Sequence, residues 1–371
     1  MKSGFIVITF LGLFFPLYSN IQPGICCVPI ADLTMQRPQS EKPIGTIGMA
    51  PETDYNSTLN RVSQLCLNDP VFITEEKNNH YIVTVPGRYY GTSPTKKNNS
   101  FWIEKQAITR REHEIHAHKR VYTLIPLFIP ELACTISAGT CFTLHTDSSD
   151  HYMCSSIHPP TKKEIKVLLP KKYCCLPYKN PQDRRAAFVK IVRYWAQQKP
   201  KKIPYVLGGS TIIDLCTPNN FTLAPSSRKN NKVYMRPEAQ PPYTGLDCAH
   251  LVFLAARTSG ISITGTNTLA LMQELKPLGM REYPQAGDIA LWKGHVIIIT
   301  DTKKGLLAEA RGYPSGYGIV QEIPFSEQFK NIATTDQLVN AYRTKKPIMR
   351  LNKEGRGVQI ITDLKLYKLP I

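Results

Sequence analysis

Cys248, His295 and Glu309 are a thiol, an imidazole and a carboxylate that could work as one set. The stretch Thr244-Gly245-Leu246-Asp247-Cys248-Ala249-His250-Leu251 puts the cysteine between a turn and a run with helical periodicity. Cys248, Leu251, Val252 and Ala255 recur at i, i+3, i+4 and i+7, and Ser259-Gly260 supplies a stop. Asp247 reads as the N-cap, which places the thiol in the first helical turn. There the positive end of the helix dipole favours the thiolate, the reactive form. The competing reading is a buried cysteine that packs as a small hydrophobe.

His295 opens the apolar strand His295-Val296-Ile297-Ile298-Ile299-Thr300, which a polar turn joins to Gly305-Leu306-Leu307-Ala308-Glu309-Ala310. A hairpin centred on Thr302 would set Ile297 opposite Leu307 and His295 opposite Glu309. Directly opposed residues of an antiparallel pair share a face. A carboxylate so placed orients the ring in a nucleophile-base-orienter set. Taken singly, His295 is a strand-end histidine bound to backbone, and Glu309 a surface acid.

A metal centre is the rival chemistry. His113, His116 and His118 in the run Glu112 to His118 fall at i, i+3 and i+5, where a helical zinc site needs i and i+4. No Cys-x2-Cys pair occurs. No metal and no cofactor are expected.

The elements around these residues follow from periodicity. Asp183 to Ala196 reads as a helix capped by Asp183, with Phe188, Val189, Val192 and Trp195 on one face. Tyr205 to Ser210 reads as a short strand and turn, and Ile289 to Trp292 as a strand after the turn Ala286-Gly287-Asp288. The polar stretch Thr217 to Pro242 reads as a long loop of the kind used as a lid or a neutral insertion. Upstream, Val71 to Thr74, His80 to Val85, Val121 to Ile129, Cys141 to Thr146 and Ile165 to Leu169 are short strand-like runs between turns. They predict two compact all-β modules, near residues 55–110 and 115–180.

The chain of 371 residues carries a formal charge of +18, which implies an acidic partner. The charge is spread as Lys-Lys pairs such as Lys96-Lys97 and Lys201-Lys202, without finger spacing or an RNP-type motif, so nucleic acid is disfavoured. Met1-Lys2, an apolar run from Phe5 to Tyr18 and then Ser19-Asn20 read as an export signal, with an uncleaved anchor as the alternative. Ten cysteines in an exported chain suggest disulfides, among them the adjacent pairs Cys26-Cys27 and Cys174-Cys175.

Tyr205-Val206-Leu207-Gly208-Gly209, Leu246-Asp247-Cys248, Ala286-Gly287-Asp288 and Gly294-His295-Val296, in this order, resemble the NlpC-type family of papain-like cell-wall cysteine endopeptidases. The resemblance covers roughly residues 183–345. Ala31-Asp32-Leu33, Asp69-Pro70-Val71 and His80-Tyr81-Ile82-Val83 resemble bacterial SH3-like domains.

The resemblance implies an α+β fold: a papain-like catalytic domain, with N-terminal helices packed on an antiparallel sheet, after two small SH3-like barrels. The corresponding division is a signal peptide at 1–20, SH3-like domains at 21–112 and 113–180, a catalytic domain at 181–350 and a C-terminal extension at 351–371. It implies cleavage of peptidoglycan stem peptides between γ-D-glutamate and a diamino acid. Cys248 would be the nucleophile, His295 the base and Glu309 the orienting residue, where the family commonly carries histidine. Tyr205 and Asp247 would bind substrate, Asp247 through a free amine as well as by capping the helix. Expected partners are stem peptides or muropeptides and an anionic wall polymer, with a monomer acting in the periplasm or cell envelope.

The sequence departs from the family at Asp247-Cys248-Ala249-His250, where Asp-Cys-Ser-Gly is usual, and Thr264-Gly265-Thr266 lacks an arginine the family often has. His250 at a helix start reads as solvent-facing, with tuning of the thiol as the alternative. The competing functions are a non-catalytic wall-binding protein and an amidase or acyltransferase on the same fold.

Overall fold

A computed structural model describes residues 21–37, 61–112, 119–218, 222–223, 234–235, 243–313 and 315–371. The apolar segment at 1–20, the histidines at 113–118 and most of the polar loop lie outside the described residues.

The chain is mixed sheet and helix, mostly strand. Seven strands form the first module in the order Arg61–Cys66, Ile30–Thr34, Ser100–Glu104, His80–Thr84, Pro70–Lys77, Gln22–Cys26 and Ile108–Arg110. Alternate residues such as Leu33, Val71, Ile73, Val83, Phe101 and Ile103 fill its core, as the period of two requires. Five strands form the second module: Glu164–Pro170, His151–Ile157, Cys141–Asp147, Arg120–Thr123 and Cys174–Cys175. The run Val121 to Ile129 is not one strand. It breaks before Leu127–Ile129, where Pro126 removes a ladder donor.

The cysteines correct the disulfide expectation: all ten are free thiols. Neighbours in extended backbone point to opposite sides. Accordingly Cys26 packs in the first module's core, while Cys27 packs with Cys154, Cys174 and the second module. They serve as small apolar groups joining the two modules.

The third region is built on helices α1 (Pro181–Ala196) and α2 (Cys248–Ser259) and an antiparallel sheet. Its strands are β1 (Ile289–Trp292), β2 (His295–Asp301), β3 (Leu306–Arg311), β4 (Ile319–Pro324) and β5 (Lys365–Tyr367), in the order β4-β3-β2-β1-β5. Residues 351–371 are therefore not an appendage: β5 pairs with β1 and completes the sheet. Both faces of the sheet are covered, which explains the near-continuous apolar sequence of β2. Ile289, Leu291, Val296, Ile298, Ala308 and Ala310 pack under α1 and α2. Ala290, Trp292, Ile297, Ile299 and Leu307 pack on the other side with Phe325, Phe329 and Leu338.

The cap of α1 is Asn180, whose side chain accepts from the Gln182 N–H, with Pro181 at the first helical position. Asp183 instead lies in the first turn, where its charge suits the dipole. Ile191 takes the buried place expected for Val189. Asp247 does cap α2, accepting from the His250 N–H, and Gly260 ends the helix at φ 83°.

Candidate active site

Cys248 lies at the first position of α2, and α2 packs against β2 and β3, so the helix start meets the start of β2. Backbone groups of Val296 and Ala249 lie near enough to the thiol to favour its ionised form. The approach to this corner depends on close backbone contacts. Val206 N–H donates to Leu246 O, Leu246 N–H to Pro204 O and Asp247 N–H to Gly209 O. Gly245 sits at φ +153°, and a Cβ there would stand 2.3 Å from the Pro204 carbonyl oxygen. Tyr205 joins the same corner through a single parallel bridge to Leu246, with no regular strand around it.

His295 turns the other way. It shares its strand face with Ile297 and Ile299, and its ring lies 5.2 Å from that of Trp292. Its Nε2 lies 2.8 Å from Oε2 of Glu309, and Gln321 Nε2 donates to Glu309 Oε1 at 3.1 Å. The register corrects the sequence expectation. Ile298 faces Ala308 and Ile299 faces Leu307, with an irregularity before Asp301. The pairing is thus displaced by two residues, because Gly305 stays in the turn at φ +61°. A shift of two preserves the face where a shift of one would reverse it. Glu309 consequently reaches His295 along the diagonal rather than straight across.

Buried charged groups near His295 include Glu309, Arg311 and Arg350. Arg311 Nη1 lies 3.7 Å from Glu309 Oε1 and donates to Gln328 Oε1 at 2.7 Å. Arg350 stacks over Trp292, 5.5 Å from its ring centre. Burial alone would raise the Glu309 carboxyl, but Arg311 and His295 hold it at about 2. Burial, reinforced by the Arg350 guanidinium, pushes His295 down to about 4. Burial also pushes the Cys248 thiol up to about 12, with the Asp247 charge adding to it. Burial thus opposes the stabilisation that a helix start offers a thiolate. No hydrogen bond joins Cys248 Sγ to the imidazole, and the resting pair is a neutral thiol and a neutral ring.

Asp247 is held from several sides. Gly208 N–H donates to Oδ2 at 3.0 Å and His250 N–H to Oδ1 at 2.8 Å. Tyr90 of the first module lies close by, its phenol raised by burial and further by the Asp247 charge. His250 is fully buried, contrary to the sequence expectation, because α2 is enclosed between the sheet and the first module.

Sequence reasoning missed Ser63, Tyr90, Trp292, Arg311, Gln321 and Arg350. Trp292 and Gln321 had a local signal, since each pairs beside a singled-out residue: Trp292 with His295, and Gln321 with Glu309. Tyr90 and Arg350 arrive from distant segments and had none. Among the described residues no cluster of three or more His, Cys, Asp or Glu side chains could hold a metal ion, and no helix is long and apolar enough to cross a membrane.

A solved structure of an NlpC/P60 family protein from Bacillus cereus ATCC 10987 superposes with a TM-score of 0.54, covering 82% of this chain and 94% of that one at 15% identity. The chain has the fold of an NlpC/P60 family protein. NlpC1 and NlpC2 from Trichomonas vaginalis are also similar, at 12% and 14% identity with TM-scores of 0.33 and 0.31. They cover 84% and 83% of this chain, and 90% and 94% of their own. No family model and no curated protein matches the sequence.

Proposed function

We propose that the chain is a cysteine endopeptidase of peptidoglycan stem peptides, cutting between γ-D-glutamate and a diamino acid. The observation that carries this reading is the His295–Glu309 pair at 2.8 Å on the strand against which the Cys248 helix packs, in a fold shared with an NlpC/P60 protein.

Glu309 stays ionised and engages Nε2 of His295, so Nδ1 is the nitrogen left to take the thiol proton. Because the resting thiol is neutral, that proton leaves as sulfur attacks the γ-glutamyl carbonyl. His295 then protonates the departing amine as the C–N bond breaks, leaving a thioester on Cys248. Water, deprotonated by His295, hydrolyses the thioester and the thiol regains its proton. The absence of a resting Sγ–imidazole hydrogen bond fits a site that tightens when substrate fills it.

In this reading Asp247 and Tyr205 receive the substrate, with the Asp247 carboxylate taking a free N-terminal amine. The two β modules act as SH3-like domains, the first walling the cleft through Tyr90. The segment at 1–20 exports a monomer to the cell envelope, and the +18 charge suits an anionic wall polymer. Digestion of defined muropeptides by wild type and Cys248→Ala, with mass analysis, tests the reading. Release of L-Ala-γ-D-Glu by wild type alone supports it, and a cut at the sugar-peptide amide contradicts it.

Burial of both Cys248 and His295 favours one second reading, a wall-binding protein without turnover. Wild-type protein that binds muropeptides yet releases no product would select it.

A further inference from the structure

We propose that His250 is a positioning residue: it fixes the Asp247 carboxylate for the amine of an incoming peptide and anchors it to the first β module through Ser63. This rests on the reading of Asp247 as the amine subsite.

His250 is fully buried and touches both sides of the module boundary. Its Nε2 lies 3.0 Å from Ser63 Oγ, and its Nδ1 lies 2.9 Å from Asp247 Oδ2, close though out of line for a full hydrogen bond. Ser63 Oγ accepts from Arg88 Nη1 at 2.9 Å. Arg88 in turn donates to Gln64 O at 2.6 Å and to Asp69 Oδ2 at 2.7 Å. The ring packs edge-on against Phe253, with centres 6.3 Å apart. A polar chain thus runs Asp69–Arg88–Ser63–His250–Asp247.

The chain also sets proton positions. A carboxylate only accepts, so the ring nitrogen facing Asp247 is a donor position, whereas the Ser63 hydroxyl can donate to or accept from Nε2. With Gly208 N–H and His250 N–H already on the carboxylate, its remaining acceptor capacity is fixed before any ligand arrives. An acceptor ordered in advance spares the ligand the entropy of arranging it. Glycine, usual at this place in the family, could make neither ring contact.

The test uses the full chain in a Cys248→Ala background and calorimetry with the dipeptide L-Ala-γ-D-Glu and its N-acetylated form. His250→Asn retains a polar atom at the Nδ1 position, and His250→Gln one at the Nε2 position. His250→Gln should weaken the free-amine dipeptide about tenfold and His250→Asn by about threefold or less. Neither should change the N-acetylated form. Should His250→Gln not fold, as melting would reveal, Ser63→Ala carries the test with an expected loss of about threefold. Equal effects of the two His250 variants, no effect of either, or equal losses for the acetylated dipeptide would overturn the inference while the amine subsite stood. A parent protein that fails to discriminate the free from the acetylated amine would remove the subsite and the inference together.

Discussion

Nε2 of His295 meets Oε2 of Glu309 at 2.8 Å across a diagonal of the β2–β3 pair, with both groups buried. Arg311 and Gln321 hold the carboxylate from its other oxygen. A carboxylate so fixed engages Nε2 and leaves Nδ1 as the other ring nitrogen. Glu309→Gln keeps the shape but removes the charge that supports the imidazolium formed during attack. Its kcat should fall by roughly 10²-fold or more, with KM changed little. Steady-state kinetics on a purified stem peptide checks this, and an unchanged kcat would assign Glu309 a purely structural role.

The pH dependence follows from His295, held at about 4 against 6.5 for a free ring. As a base it must be unprotonated, so the acid limb of kcat/KM should lie near the lower value rather than the higher. The linked stability has a definite sign. Between those two values the unfolded ring binds a proton that the native ring refuses, so stability falls as pH drops through that window. Each unit of separation corresponds to about 1.4 kcal/mol. Glu309, lowered from 4.5 to about 2, adds stability that is present above 4.5 and lost as pH falls below it. Urea midpoints at pH 7 and pH 5 should differ in wild type, and by less in His295→Gln.

Gly245 holds the turn that delivers Asp247 and Cys248. At φ +153°, with the Pro204 oxygen 2.3 Å from where a Cβ would sit, Gly245→Ala forces backbone to move. It should cost about 1–3 kcal/mol in chemical unfolding and should also lower turnover. A variant as stable and as active as wild type would show that this close approach is dispensable.

Asp69 ties the first module to the far end of α2. It accepts from Arg88 at 2.7 Å and from Arg257, in the last turn of α2, at 3.2 Å. Burial would raise its carboxyl, but the two guanidinium groups hold it below the usual carboxylate range. Asp69→Ala leaves one buried cation, Arg88, and one half-buried cation, Arg257, with their shared partner gone and should cost about 3–5 kcal/mol. Denaturant unfolding checks it, and a loss under 1 kcal/mol would mean that the arginines find other partners.

Much of the site could be read in the sequence because its signals are local. Asp247 caps α2 and Gly260 ends it, as the residue types imply. The strands at Ile289–Trp292 and His295–Asp301 follow their apolar runs. The His295–Glu309 contact survived an incorrect register because parity, not exact opposition, decides which face a side chain takes. Readings that depended on tertiary surroundings fared worse. His250 looked like a surface residue because nothing local announces that Ser63 packs over it. The thiol looked ionised because sequence reveals a helix start but not the desolvation that pushes the sulfur to about 12. Residues 351–371 looked like a tail because three residues pairing with β1 leave no pattern of their own.

The central claim is that Cys248 forms the covalent bond. Mixing wild type with a free-amine stem peptide, quenching in acid within the first turnovers and measuring intact mass tests it most directly. An L-Ala-γ-D-Glu adduct mapped to Cys248 is expected, absent from Cys248→Ala, which should release no product. An adduct on another of the ten cysteines, or continued hydrolysis by Cys248→Ala, would contradict it.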